Sequence, residues 1–233
     1  MKVGVVIFPG SNCDHDALEW SSQLLDLPTE AIWYQDRDLR GVDLVILPGG
    51  FSYGDYLRCG AMAARAPIMD EVVRHARAGG LVIGICNGFQ VLCEVGLLPG
   101  ALLRNQSLTF LCQDVYLRVE TAKSPWTCAM GPGDLLRIPI AHGDGNYFTD
   151  AETLARLNGE DRVAFRYASP SGELDPAWNV NGSLQAIAGI LSEKKNVLGM
   201  MPHPERASEE AVGCTDGLGI FRSALIALEV SHV

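Results

Sequence analysis

Unbroken apolar runs alternate with segments of helical period along the first hundred residues. "VGVVIF" (3–8), "AIWY" (31–34), "VDLVILPGG" (42–50) and "LVIGIC" (81–86) are rich in Val, Ile and Leu and too short for helices. Such runs suit strands covered on both faces. Between them, "DHDALEWSSQLLDL" (14–27), "IMDEVVRHARAGG" (68–80) and "NGFQVLCEVG" (87–96) read as helices. The first carries acids in its first turn, where the helix dipole favours them, and the second is stopped by glycines. Strand, helix, strand with short turns predicts a doubly wound, mostly parallel α/β sheet.

After Pro99 the pattern shifts. "LTFLCQDVYLRVE" (108–120), "LLRIPIAHG" (135–143), "RVAFRYA" (162–168), "LQAIAGILS" (184–192) and "NVLGMMPHP" (196–204) read as strands, several of them antiparallel. "SPSGELDPAWNVNGS" (169–183) has the Pro, Gly and Asn content of a loop, and "DGLGIFRSALIALEV" (216–230) should be a helix packed back on the sheet. No linker, repeat or low-complexity tract divides the chain, so a single domain over residues 1–233 is expected.

Composition narrows the function classes. Apolar residues make up 48% and charged residues 20%, as in a globular protein. The net charge of -10 argues against nucleic acid or an anionic membrane as partner, because binding phosphates needs a basic surface. No apolar stretch approaches the ~20 residues of a membrane span. The apolar N-terminus runs into Pro9-Gly10 without a cleavage site, which fits a first strand and not a signal peptide. The seven cysteines form no C-x-x-C pair, so no metal site is expected. Free thiols in a reducing cytoplasm are the natural reading.

One cysteine stands apart. Cys86 falls at the carboxyl end of a predicted parallel strand, where such sheets place their ligand sites. Gly84 and Gly88 give it a G-x-C-x-G spacing, the pattern of a nucleophile elbow with sulfur for oxygen. The helix that follows offers free N–H groups and a positive dipole end, which favour thiolate over thiol. The N–H of Asn87 is placed for a developing oxyanion. The spacing alone also fits a small buried filler, the reading given to the other six cysteines.

A nucleophile needs a base and a group that orients it. Of the five histidines, His15 sits in a helix first turn, His75 near a helix C-terminus and His232 at the chain end. His203, in "GMMPHPER", follows a strand, and Glu205 lies two residues on, on the same side of an extended segment. His142, in "AHGDGNY", is the rival base or a substrate contact. A second oxyanion donor is expected from "LPGGFSYGD" (47–55), where Gly49 and Gly50 let N–H groups approach a substrate oxygen.

"PGGF", "GICNGFQ" and "MPHPE" together resemble the class I (triad) glutamine amidotransferases. "FPGSNCD", "GGFSYGDYLRCGAMAA", "GICNGFQVLCEVGLLPGAL", "PIAHGDGNY" and "NVLGMMPHPER" extend the resemblance over nearly the whole chain, to the glutaminase-subunit family of phosphoribosylformylglycinamidine synthase. The resemblance implies a flavodoxin-like fold, and Cys86, His203 and Glu205 as nucleophile, base and orienter. It fits an oxyanion hole from Asn87 with Gly50 or Phe51; Gln90, one turn beyond Cys86 on the helix face nearest the elbow, is assigned to substrate glutamine, with His142 as a further substrate contact. It also implies that ammonia passes to a large synthase subunit, which holds ATP and magnesium, with a small third subunit in the complex. No cofactor is then expected in this chain. A stand-alone cysteine hydrolase or DJ-1-like protein of the same fold is the alternative. Two departures lie on loops: the family usually has Glu where Asp144 stands, and often "NPNGS" where this chain has "NVNGS" (179–183).

Overall fold

The structure, a computed structural model, describes residues 1–24 and 26–231; His232 lies outside the described residues. In chain order the first half contains β1 (Val3–Ile7), α1 (Asp14–Glu19), β2 (Thr29–Trp33), β3 (Leu44–Leu47), α2 (Ile68–Arg77), β4 (Leu81–Ile85) and α3 (Asn87–Glu94). The second half contains β5 (Ala101–Leu103), β6 (Leu111–Val119), β7 (Leu135–His142), β8 (Asn146–Phe148) and α4 (Ala151–Gly159). It continues with β9 (Val163–Ala168), β10 (Ile187–Leu191), β11 (Val197–Met200) and α5 (Leu218–Ser231).

Among the described residues, nine strands form one sheet in the order β2-β1-β3-β4-β11-β10-β9-β6-β7. The first five are parallel, and their order is the flavodoxin-like one, with β11 as fifth strand. From β11 onward the pairings are antiparallel. The sequence pattern follows from this difference. β3 and β4 are buried at every position and read as unbroken apolar runs. β7 alternates buried and half-buried residues, as a strand with one open face does. β5 and β8 form a separate antiparallel pair. Trp20 and Phe221, both buried, pack ring against ring at a 38° tilt and tie the first helical segment to α5.

Several elements depart from the sequence reading. The helix expected over 14–27 is α-helical only to Glu19 and continues as a π-turn over Trp20–Leu24. There the hydroxyls of Ser21 and Ser22 donate to the carbonyls of Ala17 (2.8 Å) and Leu18 (2.7 Å), competing with the helix ladder. β2 begins at Thr29, ahead of the expected 31. Residues 184–186 form a turn before β10, with Gln185 and Ala186 at positive φ. α4, β5 and β8 were not anticipated. α4 starts at a capped end, where Asp150 Oδ1 accepts the N–H of Thr153 at 2.9 Å. No helix among the described residues is long and apolar enough to cross a membrane.

Candidate active site

The loops after β1, β3, β4 and β11 meet at the carboxyl edge of the parallel strands. Cys86 occupies φ 52°, ψ -106°, a region that a non-glycine residue enters only when its surroundings hold it there. Its N–H donates to Met200 O on β11 at 2.7 Å, and its carbonyl accepts the N–H groups of Phe89 (3.0 Å) and Gln90 (3.2 Å). The flanking glycines are steric necessities. A methyl on Gly84 would fall 2.5 Å from Gly88 O, and one on Gly88 would fall 2.0 Å from Leu47 O of β3. Cys86 is 5% exposed, and its thiol donates to Ala141 O at 3.7 Å.

His203 leaves β11 with its N–H bonded to Pro139 O at 2.8 Å. Its Nδ1 lies 2.6 Å from Glu205 Oε1, with both side chains buried. Burial alone would lower the imidazole pKa. The Glu205 carboxylate, seconded by Cys86, outweighs it and holds the pKa well above the usual histidine value. With Nδ1 engaged by Glu205, Nε2 has no hydrogen-bond partner among the described residues. Gly49 is where nucleophile and imidazole converge. A methyl there would lie 2.7 Å from His203 Cε1 and 3.2 Å from Cys86 Cβ. The route to the His203–Glu205 pair differs from the extended geometry expected. Pro204–Arg206 is a turn of 3-10 helix, and that turn brings the carboxylate back to the ring.

Gly50 stands at φ 113°, and a side chain on it would strike Asn12 N at 2.6 Å. The backbone N–H groups of Gly50, Phe51 and Asn87 have no hydrogen-bond partner among the described residues. The Asn87 side chain ties the elbow to the 51–55 loop. Its Oδ1 accepts from Ser52 N at 3.4 Å, and its Nδ2 donates to Asp55 Oδ1 at 3.3 Å and Gln90 Oε1 at 2.8 Å. Gln90 is buried, and its Nε2 donates to Asp144 O at 2.8 Å. Its amide thus braces the wall behind the elbow. His142 is buried with Nδ1 3.1 Å from Asn105 Oδ1, which also accepts Gly145 N at 3.0 Å. Burial first, and the neighbouring His203 second, push its pKa down to about 4. His142 is therefore neutral at pH 7 and is oriented by an amide; the histidine with an orienting carboxylate is His203. Among the remaining histidines, His15 is exposed, and burial lowers the pKa of His75.

Cys13 and Arg206 were missed from the sequence. Cys13 is buried beside His203, and Arg206 Nη2 lies 3.2 Å from its Sγ while Nε donates to Asp16 Oδ2 at 2.8 Å. The position of "SNC" just past the carboxyl end of β1 was the available signal. Cys13 Sγ, a His203 nitrogen and a Glu205 oxygen lie within 4.8 Å of one another, close enough to suggest a metal site. The Arg206 guanidinium against Cys13 and the short His203–Glu205 bond fit a hydrogen-bonded cluster better, since the cation there is already an arginine. Asp144 accepts the Cys59 thiol at 3.3 Å. In the "NVNGS" loop, Val180 N donates to Trp178 O at 3.0 Å, a bond a proline could not make. Asn181 Nδ2 and Ser183 Oγ both donate to Gly145 O, at 2.8 and 3.2 Å, and hold the His142 turn. A cavity of about 170 Å³ opens beside His203, bounded by Asn12, Cys13, Gly50, Phe51, Phe110 and Arg206.

Residues 1–213 match the model of the CobB/CobQ-like glutamine amidotransferase domain. The chain is 54% identical over 228 residues to the phosphoribosylformylglycinamidine synthase subunit PurQ of Koribacter versatilis, covering 98% of this chain and 99% of that protein. It is 53% identical to the subunit of the same name from Acaryochloris marina, over 100% and 99% of the two chains. The solved structure of PurLQS from Thermotoga maritima contains a chain that superposes with a TM-score of 0.86 at 45% identity, covering 97% of this chain and 98% of that one. A glutamine amidotransferase of Thermotoga maritima, 15% identical with a TM-score of 0.55, shares the fold. With a strained cysteine elbow beside a carboxylate-bound histidine, and with likeness over its full length, the chain belongs to the PurQ family of glutamine amidotransferases.

Proposed function

We propose that this chain hydrolyses L-glutamine to glutamate and ammonia through a γ-glutamyl thioester on Cys86. The observation that carries the reading is the 2.6 Å contact of His203 Nδ1 with Glu205, beside an elbow that holds Cys86 at positive φ. Nε2 of His203 takes the thiol proton as sulfur attacks the side-chain amide carbon. The N–H groups of Asn87 and of Gly50 or Phe51 hold the oxyanion. The C–N bond breaks as the same Nε2–H protonates the departing nitrogen, which leaves as ammonia. Water then adds to the thioester, gives a proton to His203, and the C–S bond breaks to release glutamate and return the thiol.

The ammonia passes to a large synthase subunit that makes formylglycinamidine ribonucleotide in purine biosynthesis, in a complex with a small third subunit. ATP and magnesium belong on that large subunit. This chain has no G-x-x-x-x-G-K-[ST] loop to cradle a triphosphate. Full-length similarity to PurQ subunits, and to a chain of PurLQS, supports this assignment. The seven free cysteines support a cytoplasmic setting. A stand-alone hydrolase or DJ-1-like protein would not need the Glu205 carboxylate behind its histidine.

The test is labelling with a chloroketone or diazoketone analogue of glutamine, followed by peptide mass spectrometry. The label should sit on Cys86, Cys86→Ser should lose glutaminase activity, and Cys93→Ser should keep most of it. Labelling of another cysteine, or equal loss in two folded variants, would remove Cys86 as the single nucleophile.

A further inference from the structure

The parallel strands have a second end. Cys86 lies at the carboxyl end of β4, and the amino end lies about 17 Å away at ~3.3 Å per residue. There a cavity of about 450 Å³ opens between the end of α2, the turn after α3, α4 and the β10–β11 turn. Arg77, Arg156, Arg162 and Lys194 line it against one acid, Glu193. This is an electropositive hollow in a chain of net charge -10.

Little of that positive charge is used internally. Among the described residues, Arg77, Arg156 and Lys194 form no salt bridge. Arg156 reaches only the Thr153 hydroxyl, at 3.4 Å, and Lys194 Nζ only the carbonyl of Arg77, at 2.8 Å. Arg162 is 5% exposed. Its Nε donates to Leu191 O at 3.1 Å and its Nη1 to Glu160 at 3.0 Å, which fixes the guanidinium in the wall and leaves Nη2 without a partner. Burying a guanidinium costs hydration, and an anion brought to its free edge restores hydrogen bonds that the fold leaves unmade. Leu97, Pro99 and Val197 supply an apolar floor.

We propose that this cavity binds a small phosphate-bearing metabolite. The phosphoryl oxygens meet Arg77, Arg156, Lys194 and the free edge of Arg162, and the organic body lies on Leu97 and Pro99. Planar guanidinium forks suit phosphate oxygens in pairs. The volume is that of a small-molecule site. The net negative charge of the chain disfavours a polymer of like charge, whether nucleic acid or acidic polypeptide.

The test is calorimetry and thermal unfolding of the full chain with inorganic phosphate, pyrophosphate, ribose 5-phosphate and AMP, against sodium chloride at equal ionic strength and against polyglutamate. At least one phosphate probe should saturate at one per chain and raise the melting temperature. The double variant Arg156→Gln, Lys194→Gln should weaken it at least tenfold while melting, without ligand, near the parent. If that variant melts low, Arg77→Gln alone serves, with an expected weakening of at least threefold. Shifts no larger than those of chloride, affinity unchanged in the variants, tighter binding of polyglutamate, or a probe located elsewhere in a soaked crystal would overturn the proposal.

Discussion

A buried imidazole accepts a proton readily only where a neighbour offsets the hydration it has lost, and at His203 the neighbour is the Glu205 carboxylate. In the proposed mechanism His203 moves protons in both halves of the reaction, whereas Glu205 orients it and stabilises its charge. His203→Ala should therefore lower the glutaminase rate more than Glu205→Ala, by ~10²-fold or more for the histidine. Steady-state ammonia release from the two folded variants measures this, and a null His142→Ala beside an active His203→Ala would reverse the assignment. His142 offers a second test. It protonates near 6.5 in the unfolded chain and only near about 4 in the fold. Between those values the unfolded chain binds the additional proton, so stability falls as pH is lowered through this window, by about 3 kcal/mol at most. Urea unfolding at pH 7 and pH 4.5 should show a smaller loss in His142→Gln than in the parent chain. Parallel losses would mean that His142 is not held neutral. Residue identity alone pointed to His203 and Glu205, because few histidines follow a strand with an acid two positions on. It did not point to Cys13, whose flanks carry none of the glycine punctuation that marks Cys86.

At the level of elements, the G-x-C-x-G spacing states how close α3 must come to β3 and β4. Gly88→Ala places a methyl on the Leu47 carbonyl, so the helix must retreat. We expect a loss of about 1–3 kcal/mol of stability, together with a larger loss of activity than partial unfolding explains, since the retreat moves Cys86. Thermal unfolding combined with glutaminase assays well below the variant's melting point checks this; a normal melting point with full activity would refute it. The parallel half of the sheet was legible in the sequence because strands covered on both faces leave continuous apolar runs. α4 was not. "DAETLARLNG" carries one buried leucine, Leu157, and one half-buried, Leu154, too thin a stripe to stand out, although its Asp150–Thr153 cap was a readable start signal. The π-turn over Trp20–Leu24 left no mark in the periodicity, because the serine hydroxyls that bond back along the helix look like ordinary surface residues in a pattern of apolar spacing.

For the whole molecule, the mouth of the site is conspicuously apolar. Phe51 and Phe110 lie with ring centroids 6.2 Å apart, and on the loop that supplies Gly50 and Phe51, Tyr56 is 75% and Leu57 90% exposed. That loop includes Tyr53, Gly54, Asp55 and Leu57 at positive φ, a conformation that contact with a partner can order. Glutaminase turnover of the isolated chain should be slow. It should rise at least about tenfold, roughly 1.4 kcal/mol of transition-state stabilisation, when the synthase and its nucleotide ligands are added at saturating glutamine. Unchanged turnover would favour an ungated hydrolase.

The position of β11 has a consequence for how the molecule is made. This strand leads into His203, lies between β4 and β10, and is the last of the described strands to leave the ribosome. Until it arrives, a nascent chain holds the Cys86 elbow without His203 beside it, and β4 has an unpaired edge. Hydrolysis of glutamine therefore waits until β11 has been made, and closure of the sheet joins segments far apart in the chain, a slow step in folding. During that interval the open side of β4 is where another chain could pair, which makes prompt capture by β11 the folding event on which solubility as well as activity depends.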